Sequence, residues 1–280
     1  MGPVLETGKR GMRRVVKGDA SGGLSSKTTV FLWLALIAGF GAGCNRPEAP
    51  HCLRTAGVDT TWTEELAPGT LAQLTLYDRL DVHWHQTAPG EPVRLVFSGP
   101  ANLLPHVEVG WTGGDRGELE LSDANRCRWV RDLGIRLKVD VYAPDFGGLE
   151  LRGSGRFSMD TCRRAGTLQV DARQFSGEAH IAAIVDTLRL RMHSGPGSIL
   201  AGGEVVDLGI FAAGLGGVDA RSVAARRAFV NQSSVRELHF SATDYAYIGH
   251  YGTGWVWGHG GPPADWDWKQ TSTGQLGWEN

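Results

Sequence analysis

From residue 62 onward, hydrophobic and polar residues alternate in many short runs. Glu118-Leu-Glu-Leu121, Ile135-Arg-Leu-Lys-Val-Asp-Val-Tyr142, Leu149-Glu-Leu-Arg152 and Thr187-Leu-Arg-Leu-Arg-Met192 each repeat with period two. That period puts one face of a β-strand in a core and the other in water. Long stretches with the helical period of 3.6 are missing. The segment Val218–Phe229 has enough Ala and Arg to pass for a helix, but its surroundings favour two short strands joined by a turn.

Those surroundings are a recurring small-residue turn. It occurs as Arg152-Gly-Ser-Gly155, Phe175-Ser-Gly177, Ser194-Gly-Pro-Gly197, Gly214-Leu-Gly216, Gln232-Ser-Ser234, Gly252-Thr-Gly254 and Ser272-Thr-Gly274. The last residues of successive turns are 22, 20, 19, 18, 20 and 20 positions apart. A period near 20 with strands this short predicts a stack of rungs. One rung cannot bury its inner face alone, but stacked rungs pair each strand with its neighbour and share one core. The expected fold class is therefore all-β, a parallel β-solenoid with rungs of about 20 residues.

Several segments of the mature chain resemble one known family, the “putative auto-transporter adhesin, head GIN domain” family. They are Tyr77-Asp-Arg-Leu-Asp-Val82, Asn102-Leu-Leu-Pro105, Asn125-Arg-Cys-Arg-Trp-Val-Arg131, Gly153-Ser-Gly155 and Tyr251-Gly-Thr-Gly254. The resemblance spans roughly residues 62–278. It implies a right-handed parallel β-helix in an exported, often lipid-anchored protein. It implies no catalytic site and no particular ligand.

The N-terminus reads as a processing segment. Lys9, Arg10, Arg13, Arg14, Lys17 and Lys27 precede a 14-residue apolar run, Val30–Gly43, which ends at Cys44. A basic stretch, a short apolar core and small residues are the parts of a signal peptide, and a spanning helix needs about 20 apolar residues. Met1 or Met12 could be the start. Gly41-Ala42-Gly43-Cys44 resembles a bacterial lipobox, which implies acylation of Cys44. Asn45, directly after it, fits sorting to the outer membrane. The expected organisation is a lipoprotein-type signal peptide (1–43), a Pro-rich tether (44–61) and a β-solenoid domain (62–280). The expected location is the bacterial cell envelope, with secretion after ordinary cleavage as the alternative.

Charge narrows the partners. The leader holds six of the 28 basic residues and two of the 30 acidic ones, which leaves the mature part at −6. Nucleic acid is a poor partner for that surface. A membrane reached through the lipid, with a glycan or envelope protein as ligand, suits it better. Cys52, Cys127 and Cys162 allow one disulfide and a leftover thiol, and spacing does not choose the pair.

Candidate chemistry is sparse. A polysaccharide lyase or hydrolase needs carboxylates, or carboxylates with Arg, converging from neighbouring rungs. Aligning Asp160 and Asp219 on the turn period produces no such ladder. Ser154, Ser176 and Ser194 sit in turns without the elbow of a serine nucleophile. His83-Trp-His85 places two imidazoles on one strand face, a spacing that can hold a metal ion, and Asp81 shares that face. Two ligands do not make a site, so we read the segment as a polar outer face with Trp84 turned inward. The cluster Trp255, Trp257, Trp266, Trp268 and Trp278 is expected to cap the open end of the stack, with an aromatic platform for sugars as the rival. No catalytic, cofactor-binding or metal residue is assigned. The expected function is non-catalytic binding, adhesion or structure. A carbohydrate-active enzyme and an envelope signalling partner are the alternatives.

Overall fold

In the computed structural model, residues 55–67, 69–125 and 134–279 are described. The leader, Cys44, Cys52 and Cys127 lie outside them. The described residues form nineteen strands, one short 3-10 turn at Leu104–His106 and no α-helix. The strands are β1 (Asp59–Glu65), β2 (Gly69–Leu76), β3 (Asp81–Gln86), β4 (Arg94–Pro100), β5 (Val107–Trp111), β6 (Gly114–Asp123), β7 (Lys138–Ala143), β8 (Gly148–Gly153) and β9 (Arg156–Met159). There follow β10 (Cys162–Arg163), β11 (Thr167–Phe175), β12 (Glu178–Met192), β13 (Ser198–Gly214), β14 (Gly217–Ser234), β15 (Leu238–Ser241), β16 (Tyr245–His250), β17 (Val256–His259), β18 (Asp265–Gln270) and β19 (Leu276–Glu279). The expected β-solenoid is what they build.

One ladder shows how the core is filled. Leu74 lies between Leu119 and Leu149. Leu149 is followed by Val170, Leu190, Ile210, Val230 and Ile248, each the parallel partner of the one before. All are buried. Burying such a side chain contributes about 1.5–3 kcal/mol, so the stack is held by repetition of one modest gain. Leu168, Leu188 and Leu208 step by 20 residues, as the turn period predicts.

Corners form in two ways. At the small-residue turns, the backbone of one rung rests on that of the next. Gly197 N–H donates to Phe175 O (2.9 Å) and Ser198 N–H to Gly177 O (3.0 Å). A Cβ on Gly177 would run into the Gly155 carbonyl and the Phe175 ring. The second kind of corner is hidden inside a strand. In β12, β13 and β14 two successive residues turn outward, Asp186–Thr187, Val206–Asp207 and Arg226–Arg227, and the alternation then resumes in shifted phase. Val218–Phe229 therefore lies within one continuous strand rather than two with a turn.

The stack departs from sequence order near its start. β2 pairs with both β6 and β8, and β3 with both β7 and β9, all parallel. The β2–β3 rung thus sits between two rungs made later in the chain. Beyond them, β5 runs antiparallel to β6, and β4 antiparallel to both β7 and β1. β1 begins at Asp59, three residues before the predicted start of the domain.

The other end closes with Trp–Gly pairs. Trp257 lies beside Gly277, and Gly258 beside Trp278. Each glycine leaves room for the facing indole, since a Cβ at either would overlap it. Trp278 also packs edge-on against Phe240, at 5.8 Å. Trp255 stacks on Trp257 at 5.0 Å. Trp266 meets Trp278 edge-on at 5.7 Å, and Trp266 and Trp268 are 39% and 41% exposed. Those two occupy the register of buried Ala246 and Ile248 one rung earlier.

Candidate functional site

The most concentrated chemistry lies on the outer face of the interleaved rungs. Along β3 the alternation sends Val82 and Trp84 into the core and Asp81, His83 and His85 outward. Trp84 is fully buried and meets Phe146 edge-on at 5.1 Å. On one side β7 sets Asp140 beside His83 and Tyr142 beside His85. On the other, β9 sets Ser158 beside His83. Asp160 N–H donates to Trp84 O (2.9 Å), which carries the ladder past the end of β9.

These strands form a compact cluster. Asp160 takes His83 Nε2 on one oxygen (3.2 Å) and His85 Nδ1 on the other (3.1 Å). The second nitrogens are also held: His83 Nδ1 lies 2.6 Å from Ser158 Oγ, and His85 Nε2 3.1 Å from Asp140 Oδ1. Tyr142 stacks on His85 at 4.5 Å, and the Arg94 guanidinium lies over Tyr142 at 4.3 Å. Burial would raise the Asp160 pKa, but hydrogen bonds from the two histidines outweigh it and hold the group below the usual carboxylate range. One donor atom each from His83, His85 and Asp160 lie within 4.8 Å of one another, a donor set that could hold a metal ion.

The residue the sequence offered as third member, Asp81, is engaged elsewhere. Its carboxylate accepts from Arg136 Nη1 (3.0 Å) and Arg156 N–H (3.1 Å). Asp160 takes its place, from 75 residues beyond His85. A signal for it existed. Val82-His-Trp-His85, Val139-Asp-Val-Tyr142 and Phe157-Ser-Met-Asp160 share one in–out pattern, and laying them side by side makes a grid of six outward residues.

A second cluster also escaped the turn-based alignment. Glu150 and Asp171 are neighbours across β8 and β11, and Arg191 follows on β12. The cluster is saturated. Asp171 accepts from Arg191 (2.7 Å), Gln169 (2.8 Å) and His193 (2.9 Å), and Glu150 pairs with Arg152 at 2.6 Å. Burial acts to raise the Asp171 pKa, but His193, Arg191 and Gln169 pull it below normal. A glycosidase acid needs the opposite displacement.

The remaining candidates are structural. Ser176 Oγ donates to Gly153 O, and Ser194 Oγ accepts from Gln174 N–H, so both tie turns together. Cys162 is buried in the core, where desolvation pushes its thiol up to about 11. A group so placed behaves as a small apolar residue.

The parallel strand ladders define a β-solenoid. The chain belongs to the family described as “putative auto-transporter adhesin, head GIN domain”, whose model matches residues 72–262. Among solved structures it is similar to a putative adhesin from Bacteroides fragilis, with a TM-score of 0.65, 16% identity, and 79% of this chain and 97% of that one covered. A putative adhesin from Parabacteroides merdae has a TM-score of 0.55 at 15% identity, with 81% and 98% covered. A protein from Parabacteroides distasonis titled a putative lipid binding protein has 0.53 at 15%, with 79% and 97% covered. At such identities the likeness speaks for the fold alone. No curated protein matches the chain.

Proposed function

We propose that this chain is a non-catalytic binding protein of the cell envelope, held by lipid at Cys44 and presenting the solenoid to a glycan or a protein. The observation that carries the non-catalytic reading is the Glu150–Asp171–Arg191 cluster, the place where carboxylates and an arginine from adjacent rungs converge. Both carboxylates there already hold cationic partners. The family and its solved relatives carry adhesin names, which agrees with a binding role and an extracellular or envelope setting.

The open last rung supplies a surface for it. Trp266 and Trp268 offer aromatic faces flanked by Asp265 and Asp267, in a strand exposed along its whole length. Aromatic rings with polar groups beside them suit sugar rings and protein hot spots alike.

A glycan array combined with a polysaccharide-degradation screen tests the reading. Binding without turnover is expected, and turnover of any polysaccharide would replace it with the enzyme alternative. In Trp266→Ala/Trp268→Ala, binding should disappear while the unfolding midpoint holds. A fall in midpoint instead would make the pair a cap. The anchor is tested separately: fatty-acid label should enter the wild-type chain and be absent from Cys44→Ala. Unlabelled wild-type protein would remove the lipid from the proposal.

A further inference from the structure

We propose that His83, His85 and Asp160 form a binding site for a late first-row divalent cation, Zn2+ in the first instance, with Asp140 and Ser158 as its supporting shell.

The argument begins with the placing of the ring nitrogens. His83 Nε2 and His85 Nδ1 converge on the Asp160 carboxylate, at 3.2 and 3.1 Å, from one face of one strand. The second nitrogens favour a metal at the Asp160 side. Metal-bound histidines characteristically donate their other N–H to a carboxylate or another acceptor, which fixes ring and tautomer. Asp140 does this for His85, and Ser158 for His83.

The spacing agrees. Ligands at Zn–N and Zn–O distances near 2.0–2.1 Å stand about 3.3 Å apart along a tetrahedral edge. One edge is close to that whichever Asp160 oxygen binds, 3.2 Å from His83 Nε2 to Oδ1 or 3.1 Å from His85 Nδ1 to Oδ2, and the other lies within 4.8 Å and closes by rotation of the half-exposed carboxylate. The nitrogen–nitrogen edge, at most 4.8 Å, closes by rotation of two partly exposed rings. Two imidazoles and a carboxylate suit Zn2+ and its neighbours better than Ca2+ or Mg2+, which take oxygen ligands. Below the cluster the buried Trp84 fixes β3, so both histidines stand on rigid backbone. Three protein ligands leave a fourth position, and the half-exposed side chain of Asp160 opens it to solvent.

The test uses the mature chain purified without a polyhistidine tag and stripped by chelator. Titration with Zn2+ should show one saturable equivalent per chain. Asp160→Asn and His85→Gln should each weaken it at least tenfold. Asp140→Asn should weaken it roughly 10–100-fold, as loss of a supporting carboxylate does elsewhere. His259→Gln, at the His239–His259 pair several rungs further along the stack, should leave it unchanged. Unfolding midpoints of the stripped variants report whether each still folds. Co2+ added to the unmodified protein gives a reading independent of any variant, through the intense visible absorption of a tetrahedral site. No saturable equivalent, no such band, or full affinity in His85→Gln would overturn the proposal.

Discussion

The two halves of this solenoid use the same rung and reach it by different routes. From β11 on, each strand pairs with one about 20 residues away, and Leu168, Leu188 and Leu208 share a ladder. Before β9 the neighbours are remote: Leu74 pairs with Leu119 and Leu149, and Val82 with Val139 and Phe157. The regular half carries period, paired charge and turns. The interleaved half carries the histidine cluster, because only there does one strand lie between two others drawn from distant sequence. Rigid repetition and chemical convergence are thus divided between the halves.

Core truncation should separate them most strongly. Trp84→Ala removes a fully buried indole from the interleaved half and should cost about 3–5 kcal/mol. Leu190→Ala in the regular half should cost about 2–5 kcal/mol. If the halves are distinct cooperative units, denaturant unfolding of Trp84→Ala splits into two steps, while Leu190→Ala shifts one transition. A single step in both would erase the distinction. Next comes the glycine corner. Gly177→Ala places a methyl against the Gly155 carbonyl and the Phe175 ring, and overpacking of that kind costs about 1–3 kcal/mol. An unchanged midpoint would mean the rungs can slide apart there.

Acid should weaken the molecule in two stages. Burial, followed by the nearby charge of Arg221, lowers the His239 pKa from 6.5. The unfolded chain therefore takes up that proton first, and stability falls as pH drops through the unfolded value. Asp160, Asp171, Asp219 and Asp244 are each held below 3.8. Their contribution is complete above the unfolded value and is lost as pH falls through the folded ones. Thermal midpoints should decline gently below about pH 6.5 and steeply below about pH 4. Asp171→Asn should flatten the second stage, and a profile unaltered by it would assign that slope to other carboxylates. The smallest effect is reserved for Arg227→Ala. Its ion pair with Asp207 is exposed, so the midpoint should barely move and should lose what sensitivity to salt the pair confers.

The sequence showed what is local. Alternation located the strands, and the small-residue turns set the rung length, because both depend on residues within one rung. Val218–Phe229 is one strand because its bends need no glycine: Arg221 and Ser222, then Arg226 and Arg227, simply face outward together. Asp160 was missed for a different reason. Its partners are fixed by rung order, and nothing in the local pattern says that β3 lies between β7 and β9. The Glu150–Asp171 pair escaped because Glu150, on β8, precedes the Gly155 turn from which the register is counted. Trp266 and Trp268 follow the inward pattern faithfully, and only the end of the stack makes them surface.

The interleaved rungs also set a timetable. β2 and β3 come early in the chain, but their second neighbours, β8 and β9, follow 75 residues later. Until those arrive one edge of the β2–β3 rung is open, and unpaired edges are where folding chains go astray. Once β9 arrives, each further rung needs only its predecessor, and the rest of the molecule can grow by templated addition toward the C-terminus.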